Sequence, residues 1–151
     1  MGTDLTVAGY IIKNEKFLLV EHVKTGLWLP PGGHIEKNET PDESLLREIK
    51  QELGLEIKIL NTPRIHEKGN IIKQLAVPFY CNTHKLIDHI HYCSFYLCEP
   101  LTEKINPQLE EIKGFDWFSK HELYNEKIPV DVRNIGLLGF KKYAEIKNDM
   151  D

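Results

Sequence analysis

Glu48 and Glu52 stand four residues apart in a stretch that a helix would wind into a single turn, and they are the strongest chemical signal in this 151-residue chain. Carboxylates so spaced offer paired oxygens to a hard divalent cation, whereas without one their repulsion costs an isolated helix roughly 0.2–0.5 kcal/mol. Glu39, Arg47 and Gln51 surround the pair, and Gly32 and Gly33 lie just upstream. From Glu36 to Glu56 there are seven acids (Glu36, Glu39, Asp42, Glu43, Glu48, Glu52, Glu56) and three bases (Lys37, Arg47, Lys50), a local net charge of −4 that equals that of the whole chain. A bare acidic patch repels a polyphosphate, so phosphates bind beside it only with divalent metal in between. Two glutamates alone would equally suit a solvated helix face. It is their company that points to chemistry.

The elements that must position these groups are legible nearby. Thr40-Pro41-Asp42-Glu43 supplies an N-cap Thr, a Pro at the first helical position and a Glu placed for a capping box, and Gly54 supplies the stop. Leu45, Leu46, Ile49 and Leu53 recur between them at helical spacing, so a helix of about thirteen residues should bury that stripe, with Glu48, Gln51 and Glu52 together on an adjoining face. Ahead of it, Trp28–Glu36 holds two prolines and two glycines in succession, which forbid a regular helix and favour an irregular loop that a ligand can approach closely. Leu5–Ile12 and Phe17–His22, separated by a turn-like Lys13–Lys16, read as a hairpin. Leu55–Leu60, Leu75–Tyr80, His91–Leu97 and Gly114–Phe118 read as further strands, Ser119–Leu123 as a short helix and Val130–Lys147 as a C-terminal helix. Hairpins mixed with helices in this order predict an α/β sandwich with a mixed central sheet.

Gly33–Leu55 resembles the Nudix box, G-x5-E-x7-R-E-U-x-E-E-x-G-U with U aliphatic. Gly33, Glu39, Arg47, Glu48, Ile49, Glu52, Gly54 and Leu55 fill eight of its nine specified positions, and Gln51 replaces the first of the adjacent glutamates. The preceding Trp28-x-Pro30-Pro31-Gly32-Gly33 and the strand-loop-helix context make the match specific. The resemblance implies a MutT-like α/β/α fold and a pyrophosphohydrolase that cleaves a nucleoside diphosphate linked to another moiety, using water and Mg²⁺ or Mn²⁺. Carried over, Glu48 and Glu52 are metal-binding carboxylates, Glu48 helps to activate water, and the Gly32 carbonyl completes the metal's shell. Arg47 orients the carboxylates together with Glu39. A metal between carboxylates and phosphates lowers the pKa of bound water and neutralises charge on the bridging oxygen. Gln51 can offer an amide oxygen but no negative charge, so metal affinity should fall. Family members often add an acid shortly before a late-strand Trp; Glu110 and Glu111 precede Trp117, and Glu111 is the expected extra ligand.

Other residues carry weaker signals. His34, directly after Gly33, is a candidate phosphate neighbour. His89 and His91 share one face of an expected strand and could bind metal or stack on a base, yet no third ligand at useful spacing is visible, so His91 is read as a substrate contact. Arg133, opening the last helix, is a further candidate substrate contact, although such an Arg more often serves as a solvated charge. Alternating aromatics from Tyr80 to Phe118 fit a core better than a stacking platform.

Composition narrows the class. With 41% hydrophobic and 28% charged residues the chain is neither disordered nor low-complexity. At this length the prior is one domain, 1–151, whose core needs no disulfide or metal staple. No apolar run approaches the ~20 residues of a membrane span, and Met1-Gly2-Thr3-Asp4 lacks a basic leader, so no membrane or secretory segment is expected. Cys81, Cys93 and Cys98 lack paired spacing and fit buried thiols in a reducing cytoplasm. A net charge of −4 argues for a small nucleotide-type substrate over polymeric nucleic acid. Resemblance to the family leaves a homodimer open without marking an interface. From a different class, a nucleotide sensor that does not cleave its ligand would also tolerate Gln51; metal-dependent turnover separates the two.

Overall fold

A computed structural model describes residues 2–150. Its N-terminal hairpin comprises β1 (Thr3–Lys13) and β2 (Lys16–His22), paired antiparallel from Lys13↔Lys16. Asn14 and Glu15 turn the corner with φ of 51° and 61°, the left-handed pair of a tight hairpin turn whose twist matches its strands. The loop expected over Trp28–Glu36 contains two short strands, β3 (Trp28–Leu29) against β2 and β4 (Gly32–His34) against β1, with Pro30 and Pro31 between them. The prolines cannot donate to a ladder, so they fall at the break.

The capped helix forms as its sequence dictates. α1 runs Pro41–Leu53; the Glu43 amide donates to Thr40 Oγ1 and the Thr40 amide to Glu43 Oε1, while Gly54 closes the helix in the left-handed region at φ 68°. The chain continues through β5 (Ile57–Ile59), β6 (Tyr80–Lys85), β7 (Ile90–Pro100) and β8 (Ile112–Ser119), a 3₁₀ turn at Glu122–Tyr124, and α2 (Val130–Met150). The strand expected at Leu75–Tyr80 is irregular up to its last residue, where β6 begins. Pro78 has no amide to pair, and the Ala76 amide is taken by the Asp42 side chain at 3.1 Å. The exposed, polar Cys81–Lys85 pairs instead, as an antiparallel partner of β7.

All eight strands join one mixed sheet, with the central path β3-β2-β1-β7-β5. β1 and β7 are parallel, from Thr3↔Ile90 to Ile11↔Cys98, and the remaining pairings are antiparallel. Helices cover both faces, which is why β1 and β2 read as continuous apolar runs without alternation. Val7, Ile11, Leu18 and Val20 pack with Leu45, Ile49 and Leu53 of α1. Tyr10, Ile12, Phe17 and Leu19 pack with Val132 and Ile135 of α2, and the Tyr10 hydroxyl donates to the Val132 carbonyl at 2.9 Å. This is the expected α/β/α sandwich. Leu46, expected in the buried stripe of α1, is instead 41% exposed, because it lies about 100° from Leu45 on the helix, past the edge of the contact.

Candidate metal and substrate site

Gly32 and Gly33 let two backbones and a carboxylate crowd together. A Cβ on Gly32 would lie 2.0 Å from the Val7 carbonyl oxygen, and one on Gly33 would lie 2.4 Å from Glu48 Cδ. Only glycine leaves room for β4 to pair with β1 while the Glu48 carboxylate rests on the loop. Ser44, buried in α1, donates from its hydroxyl to the His34 carbonyl at 3.1 Å and fixes helix to loop.

Arg47 braces the carboxylates. Its Nε and Nη2 donate to the two oxygens of Glu39 at 2.7 and 2.9 Å, Nη1 donates to Glu48 Oε1 at 2.9 Å, and Nη2 also reaches the His34 carbonyl at 3.1 Å. The two-pronged guanidinium bond, helped by the Glu36 amide, holds the Glu39 carboxyl down at about 2, and the same contacts push Arg47 upward. Arg47 therefore orients Glu48 while Glu39 orients Arg47.

Glu52 departs from the face expected for it. On a helix it lies only about 20° from Leu45, and it is 4% exposed, whereas Gln51 points outward. Burial raises the Glu52 carboxyl to about 8, with the charges of Glu48 and Glu111 adding to the rise and the Gly32 amide opposing it. Its Oε2 has no hydrogen-bond partner among the described residues. A buried carboxylate oxygen without a donor is expensive, and a cation is the partner that would satisfy it. Gln51 lies outside this group, its nearest side-chain partner being Arg47 Nη1 at 3.5 Å.

A cleft of about 450 Å³ opens over these groups. Gly32, Gly33, His34, Glu48, Glu52, His91 and Glu111 all line it, so the structure brings together most of the residues singled out from sequence. Glu111 arrives there because the loop before β8 is tied to the end of α1, with the Asn106 amide on the Leu53 carbonyl at 2.7 Å and the Gln108 amide on the Glu52 carbonyl at 2.8 Å. Glu110 does not line the cleft, nor does Arg133, whose guanidinium lies over the Tyr124 ring at 4.9 Å. His22, His84 and Asp131 also line the cleft and carried no signal in the sequence, since only the assembly of β2, β6 and α2 around the cleft places them there. Leu29, Phe95, Val132 and Ile135 add apolar wall.

Residues 3–137 match the NUDIX domain family. The chain belongs to this family. A solved structure of a NUDIX-family hydrolase from Clostridium perfringens superposes with a TM-score of 0.82 at 29% identity, covering 95% of this chain and 99% of that one. The Nudix segment is also 50% identical over 47 residues to an 8-oxo-dGTP diphosphatase of Proteus vulgaris, covering 29% of this chain and 42% of that protein. An m7GpppN-mRNA hydrolase, NUDT17 of Xenopus laevis, is 25% identical over 122 residues, which is 77% of this chain and 41% of that protein. The matched region thus spans about two-fifths of the length of these curated Nudix relatives. Among the described residues no helix is long and apolar enough to cross a membrane.

Proposed function

We propose that this Nudix chain is a pyrophosphohydrolase that requires Mg²⁺ or Mn²⁺ and cleaves the diphosphate linkage of a small nucleotide-type substrate. The observation that carries this reading is the buried, partnerless Oε2 of Glu52, a residue that lines the same cleft as Glu48 and Glu111. Glu48, Glu52 and Glu111 line this cleft with Gly32 and offer only oxygen donors, which suits a hard divalent cation. When bound, such a cation supplies Lewis acidity toward phosphoryl oxygens and lowers the pKa of water.

The chain's own residues do the rest. Glu48, held by Arg47 against Gly33, presents its free oxygen at a fixed place in the cleft. Glu39 keeps Arg47 from swinging toward substrate phosphates. Gly33 borders the phosphate-bearing part of the substrate, with His34 and His91 on the adjoining cleft wall, and the apolar wall of Leu29, Phe95, Val132 and Ile135 shields the remainder from water. A volume of about 450 Å³ accommodates a mononucleotide-sized group. Gln51, outside the cleft lining, takes no ligand role in this reading. The unpaired thiols Cys81, Cys93 and Cys98 support a reducing, cytoplasmic setting, and we read residues 1–151 as one functional unit.

Turnover by the purified chain should be measured against nucleoside triphosphates, with inorganic pyrophosphatase added to convert the diphosphate product to phosphate, and against nucleotide sugars, ADP-ribose and dinucleoside polyphosphates, with a phosphomonoesterase added to release phosphate from the products, in each case with Mg²⁺ or Mn²⁺ and with chelator. Metal-dependent turnover on at least one class supports the reading. Tight nucleotide binding without turnover by any class would replace it with a sensor.

A further inference from the structure

Three histidines and an aspartate that the sequence scatters over some ninety positions meet at the end of the sheet: Asp4 of β1, His34 of β4, His89 of the β6–β7 turn and His91 of β7. Strand pairing alone assembles them. In the parallel β1–β7 ladder Asp4 is opposite His91, and β4 lies along the other side of β1 with His34 opposite Thr6.

The atoms that converge are ligand atoms. His89 Nε2 is 3.0 Å from His91 Nε2, Asp4 Oδ2 is 3.4 Å from His34 Nε2 and 3.5 Å from His89 Nε2, and all four donors lie within 4.8 Å of one another. Donors ~2.0–2.1 Å from a tetrahedral ion stand roughly 3.3 Å apart, so three of these separations already match the edges of such a site. An outer layer is present too. His89 Nδ1 bonds the Asp88 carboxylate, which fixes the ring and leaves Nε2 directed inward. The His84 ring packs edge-on to His91 and is itself held by Asn82. The group is partly exposed, which leaves an ion a route in.

We propose that Asp4, His34, His89 and His91 bind one borderline transition-metal ion, zinc in the first instance, separate from the carboxylate set on α1. Three imidazoles and one carboxylate favour zinc, cobalt or nickel over magnesium, whereas Glu48, Glu52 and Glu111 offer only oxygen. The two sites therefore select different ions by donor chemistry. Because His34 and His91 also line the cleft, an ion there places positive charge on its wall, facing an anionic substrate. The proposal does not depend on the hydrolase reading.

The test is a titration of the chelator-stripped full chain with Co²⁺, followed by visible absorption, and with Zn²⁺, followed by calorimetry, both in excess Mg²⁺. The expected result is one ion per chain, an intense tetrahedral cobalt spectrum, and a rise in melting temperature on adding Zn²⁺. Glu52→Gln should retain all three, and His34→Ala and His89→Ala, checked as folded by circular dichroism, should each weaken Zn²⁺ binding at least tenfold. Asp88→Asn should weaken it less. Failure of the wild-type chain to bind Zn²⁺ in excess Mg²⁺ overturns the proposal, and so does binding that survives in both His variants or disappears in Glu52→Gln.

Discussion

The Glu48 carboxyl group lies directly over Gly33, with its Cδ 2.4 Å from where a Cβ on that residue would sit. Loop and helix are thus in van der Waals register at the point where chemistry is proposed. Gly33→Ala must displace either the carboxylate or β4. Displacement of the order of 1 Å at a reacting centre costs about 10²-fold, so Gly33→Ala should lower kcat by at least that factor. Circular dichroism should show the fold retained, since β4 has only three residues.

Arg47 connects Glu39 to Glu48 through a planar, two-pronged contact that an ammonium cannot copy. Arg47→Lys keeps the charge and loses the geometry. Steady-state kinetics should show kcat reduced by about 10- to 100-fold, the range for groups that orient a metal ligand, with a smaller change in KM. Equal activity in Arg47→Lys would show that charge alone suffices there.

The capping box contributes stability without touching the cleft. Thr40→Ala removes the acceptor of the Glu43 amide and should cost about 1 kcal/mol in urea unfolding, with the slope unchanged. α1 carries Glu48 and Glu52, but its packing through Leu45, Ile49 and Leu53 keeps it seated. Activity per folded molecule should persist.

Away from the cleft, Glu99 links β7 to α2. Partial burial would raise its carboxyl, but the Tyr143 hydroxyl at 2.7 Å and Lys147 at 3.0 Å outweigh it and hold it below the usual value. A carboxyl depressed in the folded state stabilises above its unfolded pKa, about 4.3, and loses that contribution as pH falls through the folded value. Glu99→Gln should therefore melt below wild type at neutral pH, and the gap should close progressively below about pH 4. A constant gap across that range would remove the ion pair from the account.

The sequence disclosed what is local and concealed what is assembled over distance. α1 could be read to the residue, because Thr40, Glu43 and Gly54 mark its ends by hydrogen bonds within one turn. Glu48 was legible through its spacing from Glu52, and Gly33 and Arg47 through the resemblance of Gly33–Leu55 to the Nudix box. Glu52 was only half legible: its pairing with Glu48 was clear, but its place within about 20° of Leu45 also puts it on the buried stripe, a consequence that a polar residue type masks. β6 escaped because Cys81–Lys85 is a polar edge strand with no buried face to pattern it. The histidine cluster escaped for a stronger reason: His89 and His91 gain His34 and Asp4 only through the β1–β7 and β1–β4 pairings.

Glu52→Gln tests the central claim most directly. It keeps the shape of a buried side chain and removes the charge that a cation would need, in a place where the folded protein disfavours that charge. On whichever substrate wild type hydrolyses with Mg²⁺ or Mn²⁺, Glu52→Gln should lose at least about a hundredfold in kcat/KM, the scale of removing one preorganised electrostatic contact, while melting at or above the wild-type temperature without metal. Full activity in Glu52→Gln, or wild-type turnover that is indifferent to chelator, would contradict the account.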